Sequence, residues 1–293
     1  MTEQPLDYLP LLHRLRSTFN AGRTRDLRWR RRQLDALIRM LNDHEAEILE
    51  AMHQDFGKPA QEAFLAEVGF VTSEARYVRS RMERWSRIRP VETPMIGQPG
   101  RSHVQPEPLG VVLIIGAWNY PVQLVLAPLV AALAAGNCAI LKPSELTEHT
   151  SALIAQMVPR YLDQDAVSVV EGGVPETSVL LELKFDHVFY TGGAAVGKIV
   201  MKAAAEHLTP VTLELGGKSP AIVDRGADLK SAARRLIWGK ILNAGQTCVA
   251  PDYVLVQPDQ REPLLAHMQT ALTDMLGANV LDSGDFASIV NQR

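Results

Sequence analysis

A regular alternation of strand and helix patterns, which begins at residue 109, constrains the fold of this chain most strongly. Five short apolar stretches predict strands at residues 111–115, 138–142, 167–171, 187–191 and 211–215. Helical patterns fill the gaps at residues 121–135, 147–161, 175–183 and 194–207. Such alternation predicts an α/β fold in which right-handed crossovers build a parallel sheet with helices on both faces.

The segments on either side of this region predict different structures. Apolar residues recur at helical spacing within residues 1–89, which predicts helices. Residues 90–108 contain five prolines and two glycines. They are predicted as an extended connection or a hairpin, whose edges a second subunit could cover. Residues 216–293 predict only two further strands and two helices, so we expect an incomplete second α/β unit.

The composition argues against several classes of function. The 293 residues carry a net charge of −3, which gives no reason to expect nucleic acid or an anionic membrane as a partner. The longest apolar stretch contains Gly116, Pro121 and Pro128, and it predicts a buried strand and helix rather than a membrane segment. The histidines lack metal-binding spacing, so no metal site is predicted. Two cysteines and the absence of a leader pattern predict a cytoplasmic location.

Polar side chains follow the first two predicted strands of the sheet. Ligands bind to parallel sheets beyond the carboxyl ends of the strands. Trp118 and Asn119 follow the first strand, and the Asn119 amide could donate a hydrogen bond to a developing oxyanion. Lys142 and Glu145 follow the second strand and could bind ribose hydroxyls or a phosphate. The alternative for the second pair is an ordinary turn between a strand and a helix.

A glycine-containing turn follows the fourth strand and leads into a helix. It contains Gly192, Gly193 and Gly197. Small residues allow a pyrophosphate to approach the amide groups at the helix amino terminus, where the dipole favours an anion. These glycines do not form the GxGxxG pattern, and a close-packed helix start is the alternative interpretation.

Two reactive groups lie between residues 211 and 248. Glu214 has apolar neighbours in the fifth strand, and partial burial would make a carboxylate a stronger base. Cys248 follows a loop in which Gly245 leaves the backbone accessible. Taken alone, each fits an unreactive core cysteine or a glutamate that faces water. In combination with the polar residues after the other strands, they indicate a reactive site, whereas Cys138 lies in an apolar strand and is assigned to the core.

Several separated segments resemble motifs of the aldehyde dehydrogenase superfamily, in the order of that family. They are IIGAWNYP at 114–121, LKPSE at 141–145, YTG at 190–192, LELGGK at 213–218 and GQTC at 245–248. GGVPET at 172–177 and APDY at 250–253 are similar to the class 3 branch, which includes fatty and aromatic aldehyde dehydrogenases. The resemblance covers nearly the whole chain.

The resemblance implies a Rossmann-like NAD(P)-binding domain at residues 109–215. Residues 1–89 would be its helical amino-terminal part, residues 90–108 an oligomerisation hairpin, and residues 216–293 the start of a catalytic domain. The resemblance also implies that Cys248 is the nucleophile and Glu214 the general base. Asn119 and the main-chain amide of Cys248 would be the oxyanion donors.

The resemblance further implies which residues bind NAD or NADP. Lys142 and Glu145 match positions that hold the adenosine ribose, and Trp118 is assigned to the same cofactor site. Residues 192–197 match the turn that binds the cofactor phosphates. Gly193 stands where many family members have serine, so one hydroxyl contact is absent.

The implied activity is oxidation of an aliphatic or aromatic aldehyde to a carboxylic acid, through thiohemiacetal and thioacyl intermediates on Cys248. Family members continue beyond residue 293, with a Glu-Ile-Phe-Gly-Pro motif and a strand for oligomer assembly. We therefore expect a carboxyl-terminally truncated chain, with weak or no turnover if the molecule ends at residue 293, and a homodimer at full length. One alternative is an inactive nucleotide-binding fragment. Another is a related acyl-transferring or reductive enzyme that uses the same thioester.

Overall fold

The computed structural model describes residues 6–280 and 284–292, so the ends of the predicted segments 1–89 and 216–293 lie partly outside the described residues. Helices form the amino-terminal part, as the apolar spacing predicts. They are α1 (Leu9–Asn20), α2 (Leu27–Asp43), α3 (Glu45–Phe56), α4 (Ala60–Ala63) and α5 (Gly69–Trp85). A π-helical turn, Phe64–Val68, joins α4 to α5. Such turns change the helical phase and are frequent at functional sites.

The proline-containing segment after α5 forms a small hairpin. Strand β1 (Arg89–Val91) pairs in antiparallel orientation with β2 (Ser102–Val104). Its residues are largely exposed, and Met95 and Ile96 in the connection are almost fully exposed. The hairpin therefore projects from the domain instead of packing into its core.

The centre of the fold is a five-stranded parallel sheet in the order β5-β4-β3-β6-β7. The strands are β3 (Val111–Ile115), β4 (Cys138–Lys142), β5 (Val167–Val169), β6 (His187–Gly192) and β7 (Val211–Leu215). The connecting helices are α6 (Gln123–Ala135), α7 (Glu148–Tyr161), α8 (Val174–Leu181) and α9 (Ala194–Ala205). The predicted α/β fold with a Rossmann-like parallel sheet is confirmed.

The strand order creates a topological switch point between β3 and β6. From β3 the chain winds outward through β4 and β5, and it then returns to place β6 on the other side of β3. Because these crossovers are right-handed, α6 and α7 cover one face of the sheet and α8 and α9 cover the other. The crevice beyond the carboxyl ends of β3 and β6 is the expected ligand site in such a sheet.

The main hydrophobic core surrounds the inner strands. Every residue of β3 and β4 is buried, because helices cover both faces of the sheet. Burial of each large aliphatic side chain contributes roughly 1.5–3 kcal/mol. This core gives the loops that follow β3 and β6 a rigid support.

Residues after β7 form a second, smaller α/β unit. Its strands β8 (Pro220–Val223) and β9 (Tyr253–Val256) are parallel, and its helices α10 (Leu229–Ile241) and α11 (Arg261–Leu276) pack together. A cluster of buried residues, Val223, Ala233 and Leu264, lies between its elements, whereas Ile222 and Leu255 are exposed. Within the described parts of the chain, no helix combines the length and the hydropathy needed to cross a membrane.

Candidate active site

A cavity of about 920 Å³ lies at the switch point of the sheet. It is lined by residues that follow β3, β6 and β7 and by the loop that contains Cys248. Predicted site residues that line it are Trp118, Asn119, Gly192, Gly193, Glu214 and Cys248. Lys142 and Glu145 lie at the end of β4 instead, and Gly197 lies within α9. The structure thus brings the predicted nucleophile, base and oxyanion donor to one cavity.

The turn after β7 lies directly against the Cys248 loop. A Cβ atom added to Gly217 would be only 2.8 Å from the main-chain oxygen of Cys248. The thiol of Cys248 is free, and the residue is exposed toward the cavity. Cys138, in contrast, is buried in β4, and desolvation raises its pKa to about 12. Cys248 is therefore the more reactive thiol of the two.

Glu214 lies near the end of β7 and is exposed at the same cavity. The expected partial burial of this carboxylate is wrong. Strand β7 is at the edge of the five-stranded sheet, and among the described residues it pairs only with β6. Its apolar neighbours Leu213 and Leu215 are only half-buried, so they do not enclose the carboxylate.

The backbone before Cys248 is strained. Asn243, Ala244 and Gly245 have φ values of 52°, 53° and 77°. The left-handed conformation costs a residue other than glycine roughly 1–2 kcal/mol. Hydrogen bonds of Asn243, which is fully buried, hold the loop in place: its Nδ2 donates to Asn119 O at 2.8 Å and its main-chain N–H donates to Glu62 Oε1 at 2.7 Å. Strain that the surroundings hold in this way is typical of functional sites.

Two further hydrogen bonds join residues 119–120 to the loop of residues 243–248. Asn119 Nδ2 donates to Gln246 O at 2.9 Å. The hydroxyl groups of Tyr120 and Thr247 lie 2.6 Å apart. Burial raises the pKa of Tyr120, so its hydroxyl remains protonated near neutral pH. Asn119 lines the cavity, and its Nδ2 carries a second hydrogen beyond the one donated to Gln246 O.

The second predicted pair, Lys142 and Glu145, lies at the carboxyl end of β4. Lys142 is buried, and its Nζ donates to Pro143 O at 2.6 Å and lies 3.6 Å from Glu145 Oε2. Burial lowers the pKa of Lys142, and Glu145 opposes this shift. Glu145 is exposed, so its carboxylate can accept hydrogen bonds from ribose hydroxyls.

The glycine turn divides into two parts. Gly193 precedes α9, and an added Cβ there would meet no atom within 4 Å, so its backbone is open to a ligand. Gly197 is buried, and an added Cβ would be 3.1 Å from Leu215 Cδ2, which gives this glycine a packing role against β7. The buried Thr191 Oγ1 has no hydrogen-bond partner among the described residues. An open helix amino terminus beside an unpaired hydroxyl fits the pyrophosphate of a dinucleotide.

Sequence reasoning missed a second cavity of about 410 Å³ between α8 and α9. Leu181, Ile199 and Ala203 contribute apolar side chains to its lining. A helical pattern alone could not locate this groove, because its walls come from two helices whose packing the sequence does not specify.

The sequence matches the family model of the aldehyde dehydrogenase family over residues 12–293. The chain belongs to the aldehyde dehydrogenase family. Among its relatives, aldehyde dehydrogenase family 3 member A2 of Rattus norvegicus is 50% identical over 282 residues, which are 96% of this chain and 58% of that protein. The predicted resemblance to the class 3 branch is thus confirmed.

Two further similar proteins agree with the assignment of this chain to the aldehyde dehydrogenase family. The dimeric NADP-preferring aldehyde dehydrogenase of Canis lupus familiaris is 46% identical over 97% of this chain and 62% of that protein. The substrate-bound structure of Staphylococcus aureus AldH is similar with a TM-score of 0.95 and 42% identity, over 98% of this chain and 63% of that one. The chain therefore spans less than two thirds of the length of each of these relatives.

Proposed function

We propose that this aldehyde dehydrogenase chain carries the site for NAD(P)-dependent oxidation of an aldehyde to a carboxylic acid. The observation that supports it most directly is the single cavity lined by Cys248, Glu214 and Asn119 at the switch point of the sheet. The Cys248 thiolate adds to the aldehyde carbonyl carbon and forms a thiohemiacetal. Asn119 Nδ2 and the main-chain amide of Cys248 donate hydrogen bonds to the oxygen as its negative charge develops.

The second half of the proposed reaction releases the acid. When bound, NAD or NADP supplies the acceptor for the hydride that the thiohemiacetal carbon loses. Cys248 then holds the product as a thioacyl group. Glu214 accepts a proton from a water molecule, whose oxygen attacks the thioacyl carbon. The carbon–sulfur bond breaks, which releases the carboxylic acid and regenerates the thiolate.

Cofactor binding is assigned to residues on the rim of the sheet. Glu145, held beside Lys142, would accept hydrogen bonds from the adenosine ribose. Gly192, Gly193 and the amino terminus of α9 would bind the pyrophosphate. Trp118 would line the cofactor path, and the groove between α8 and α9 would accept the adenine ring. The NADP preference in the name of the canine relative and a solved structure of indole-3-acetaldehyde dehydrogenase complexed with NAD+, which is 26% identical, support NAD or NADP.

We also infer a homodimer of the full-length protein in a reducing, cytoplasmic compartment. The exposed hairpin of β1 and β2 offers unpaired strand edges that a second subunit could cover. The canine relative is named as dimeric. Both cysteines are free thiols, which suits a reducing environment. Light scattering of the full-length protein measures its mass directly, and a monomeric mass would rule out the dimer.

Cofactor reduction with an aliphatic or aromatic aldehyde tests the proposed activity. Cys248→Ala should abolish turnover, whereas Cys138→Ala provides a matched control, since the Cys138 thiol is buried and lies outside the cavity. Undiminished turnover in Cys248→Ala would refute the mechanism. Acceleration by added coenzyme A or phosphate would instead indicate the acyl-transferring class.

An inactive nucleotide-binding fragment is the second candidate function. The small buried cluster of the second unit supports it. Calorimetry that shows cofactor binding to this chain, together with no aldehyde oxidation in the same preparation, would favour this alternative.

A further inference from the structure

Lys58 and Glu67 form an ion pair inside the protein that the proposed reaction does not use. Lys58 Nζ lies 2.6 Å from Glu67 Oε1, and both side chains are 0% exposed. Charged side chains are almost never buried completely, because removal from water costs several kcal/mol per ion. A pair in this position therefore needs a structural or functional reason.

The second oxygen of Glu67 anchors the start of α6. Glu67 Oε2 accepts hydrogen bonds from the main-chain N–H groups of Val122 at 2.8 Å and Gln123 at 3.0 Å. These groups lie at the amino terminus of α6, where a negative charge is favoured by the helix dipole. The carboxylate belongs to the π-helical turn Phe64–Val68, on which Glu67 and Val68 are buried. Glu67 thus fixes the helix that directly follows residues 118–121.

Lys58 anchors the residues before α6. Its Nζ lies 4.0 Å from the centre of the Tyr120 ring, and it is within 3.5 Å of Asn119 O. The same carbonyl oxygen accepts a hydrogen bond from Asn243 Nδ2, next to the strained loop before Cys248. One buried ammonium group therefore contacts Glu67, Tyr120 and the main chain of Asn119.

We infer that Lys58 and Glu67 are positioning residues that fix the Asn119 amide for oxyanion stabilisation at Cys248. The inference rests on the proposed function, since that function assigns the oxyanion contact to Asn119. Neither Lys58 nor Glu67 lines the cavity, so both act through the loop of residues 118–121. Glu67 fixes the carboxyl end of this loop through its hydrogen bonds to the start of α6. Lys58 contacts the Tyr120 ring and the main-chain oxygen of Asn119 within the loop.

Two reactions of Cys248 that need no cofactor distinguish between two roles of the Lys58–Glu67 pair. The pair either positions the Asn119 amide or only stabilises the fold. With p-nitrophenyl acetate, the sulfur bonds to the carbonyl carbon, an oxyanion develops, and the bond to nitrophenolate then breaks. With iodoacetamide, the sulfur bonds to the methylene carbon and displaces iodide, so no oxyanion forms. The ratio of the two rates therefore reports on the oxyanion donor alone.

Glu67→Gln removes the charge and keeps the shape of the side chain. Because loss of an oxyanion donor costs roughly 100- to 1000-fold, we expect Asn119→Ala to slow acylation by that amount and Glu67→Gln to slow it by about tenfold or more. Alkylation should change by less than about twofold in either variant. Mass spectrometry of the Cys248 peptide assigns both modifications to this residue.

A double-mutant cycle tests whether Glu67 acts through Asn119. In the Asn119→Ala background, Glu67→Gln should slow acylation by less than about twofold further. Asp35→Asn is the matched control, because it breaks an exposed ion pair with Arg79 between α2 and α5, away from the loop. This control should leave both rates unchanged.

If Glu67→Gln slows acylation and alkylation equally, the inference is overturned and the ion pair has a purely structural role. The same follows if the effects of Glu67→Gln and Asn119→Ala on the acylation rate are additive in the double variant. Insensitivity of acylation to Asn119→Ala would overturn it as well. If Glu67→Gln does not unfold cooperatively, Glu67→Asp replaces it, since its shorter side chain keeps the charge but cannot reach both Lys58 and α6. Aldehyde oxidation that persists in Cys248→Ala would instead refute the proposed function, and the ratio of the two cofactor-free rates would still test the positioning.

Discussion

Replacement of Gly217 with alanine is expected to displace the loop of residues 243–248. The added Cβ would lie 2.8 Å from the main-chain oxygen of Cys248, closer than real Cβ contacts allow. Because the obstructing atom belongs to the backbone, no side-chain rotation can relieve the clash. Gly216, the preceding residue, provides a matched control, since a Cβ there would meet no atom within 4 Å. Neither glycine has a positive φ, so alanine is compatible with the backbone conformation at both positions.

The expected size of the effect follows from this distance. Separation of the two atoms to 3.4 Å, the lower limit of ordinary contact, requires a shift of about 0.6 Å. A misplacement of about 1 Å can cost roughly 100-fold in a catalysed step. We therefore expect Gly217→Ala to slow acylation of Cys248 on the order of tenfold, which corresponds to about 1.4 kcal/mol in the activation free energy.

Nitrophenolate release from p-nitrophenyl acetate measures this rate without a cofactor. That choice matters because Gly216 and Gly217 both line the cavity, where an added methyl group could also obstruct a dinucleotide. Gly216→Ala should keep the acylation rate within about twofold of the wild-type rate, since its methyl group meets open space. Equal slowing in the two variants would refute the reasoning, because the effect would then follow from the added methyl group in general and not from the contact with Cys248.

Three further predictions concern other parts of the site. Gly193→Ser should tighten NAD(P) binding by roughly two- to tenfold in calorimetry, because its hydroxyl can add one hydrogen bond in open space beside α9. Cys138 keeps its proton in the folded chain up to a pKa of about 12, whereas the unfolded chain loses it near 9.0. Stability therefore falls as the pH rises through this window: in denaturant titrations the wild type should lose up to about 1.4 kcal/mol per pH unit relative to Cys138→Ala. Ala244→Gly should relieve left-handed strain and raise the free energy of unfolding by about 1 kcal/mol. An unchanged denaturation midpoint would contradict that explanation.

Much of the sheet could be predicted because its strands are chemically distinct from their surroundings. The observed bounds of β3, β4 and β7 agree with the sequence prediction. Each of these strands ends next to glycine or proline, and β3 and β4 are short, largely apolar runs. Inner strands of a parallel sheet are buried on both faces, which produces such runs. The start of α6 was less predictable. The helix begins at Gln123 and not at Pro121, because the Glu67 carboxylate, distant in sequence, caps its first N–H groups.

The candidate site residues that directly follow a strand could be predicted from the sequence. Asn119 and Gly193 follow strands, and the carboxyl ends of parallel strands meet at one edge. The same rule gives no information about Lys58 and Glu67. Their contacts with residues 119–123 span 55 to 61 residues, and a lysine near a helix start is ordinarily exposed. The π-helical turn also breaks the 3.6-residue spacing from which the buried face of a helix is inferred.

The position of Cys248 depends more on the five-stranded sheet than on the unit that contains it. Among the described residues, the buried apolar cluster of the second unit contains three residues, far fewer than the cluster around the five-stranded sheet, and it gives less resistance to local opening. Four hydrogen bonds connect the loop of residues 243–247 to Glu62, Asn119 and Tyr120. These residues are supported by α6, by the Lys58–Glu67 pair and by the large core around β3. Cys248 is therefore expected to keep its position relative to Asn119 even if β8 and β9 loosen, because both residues are held by the same part of the protein.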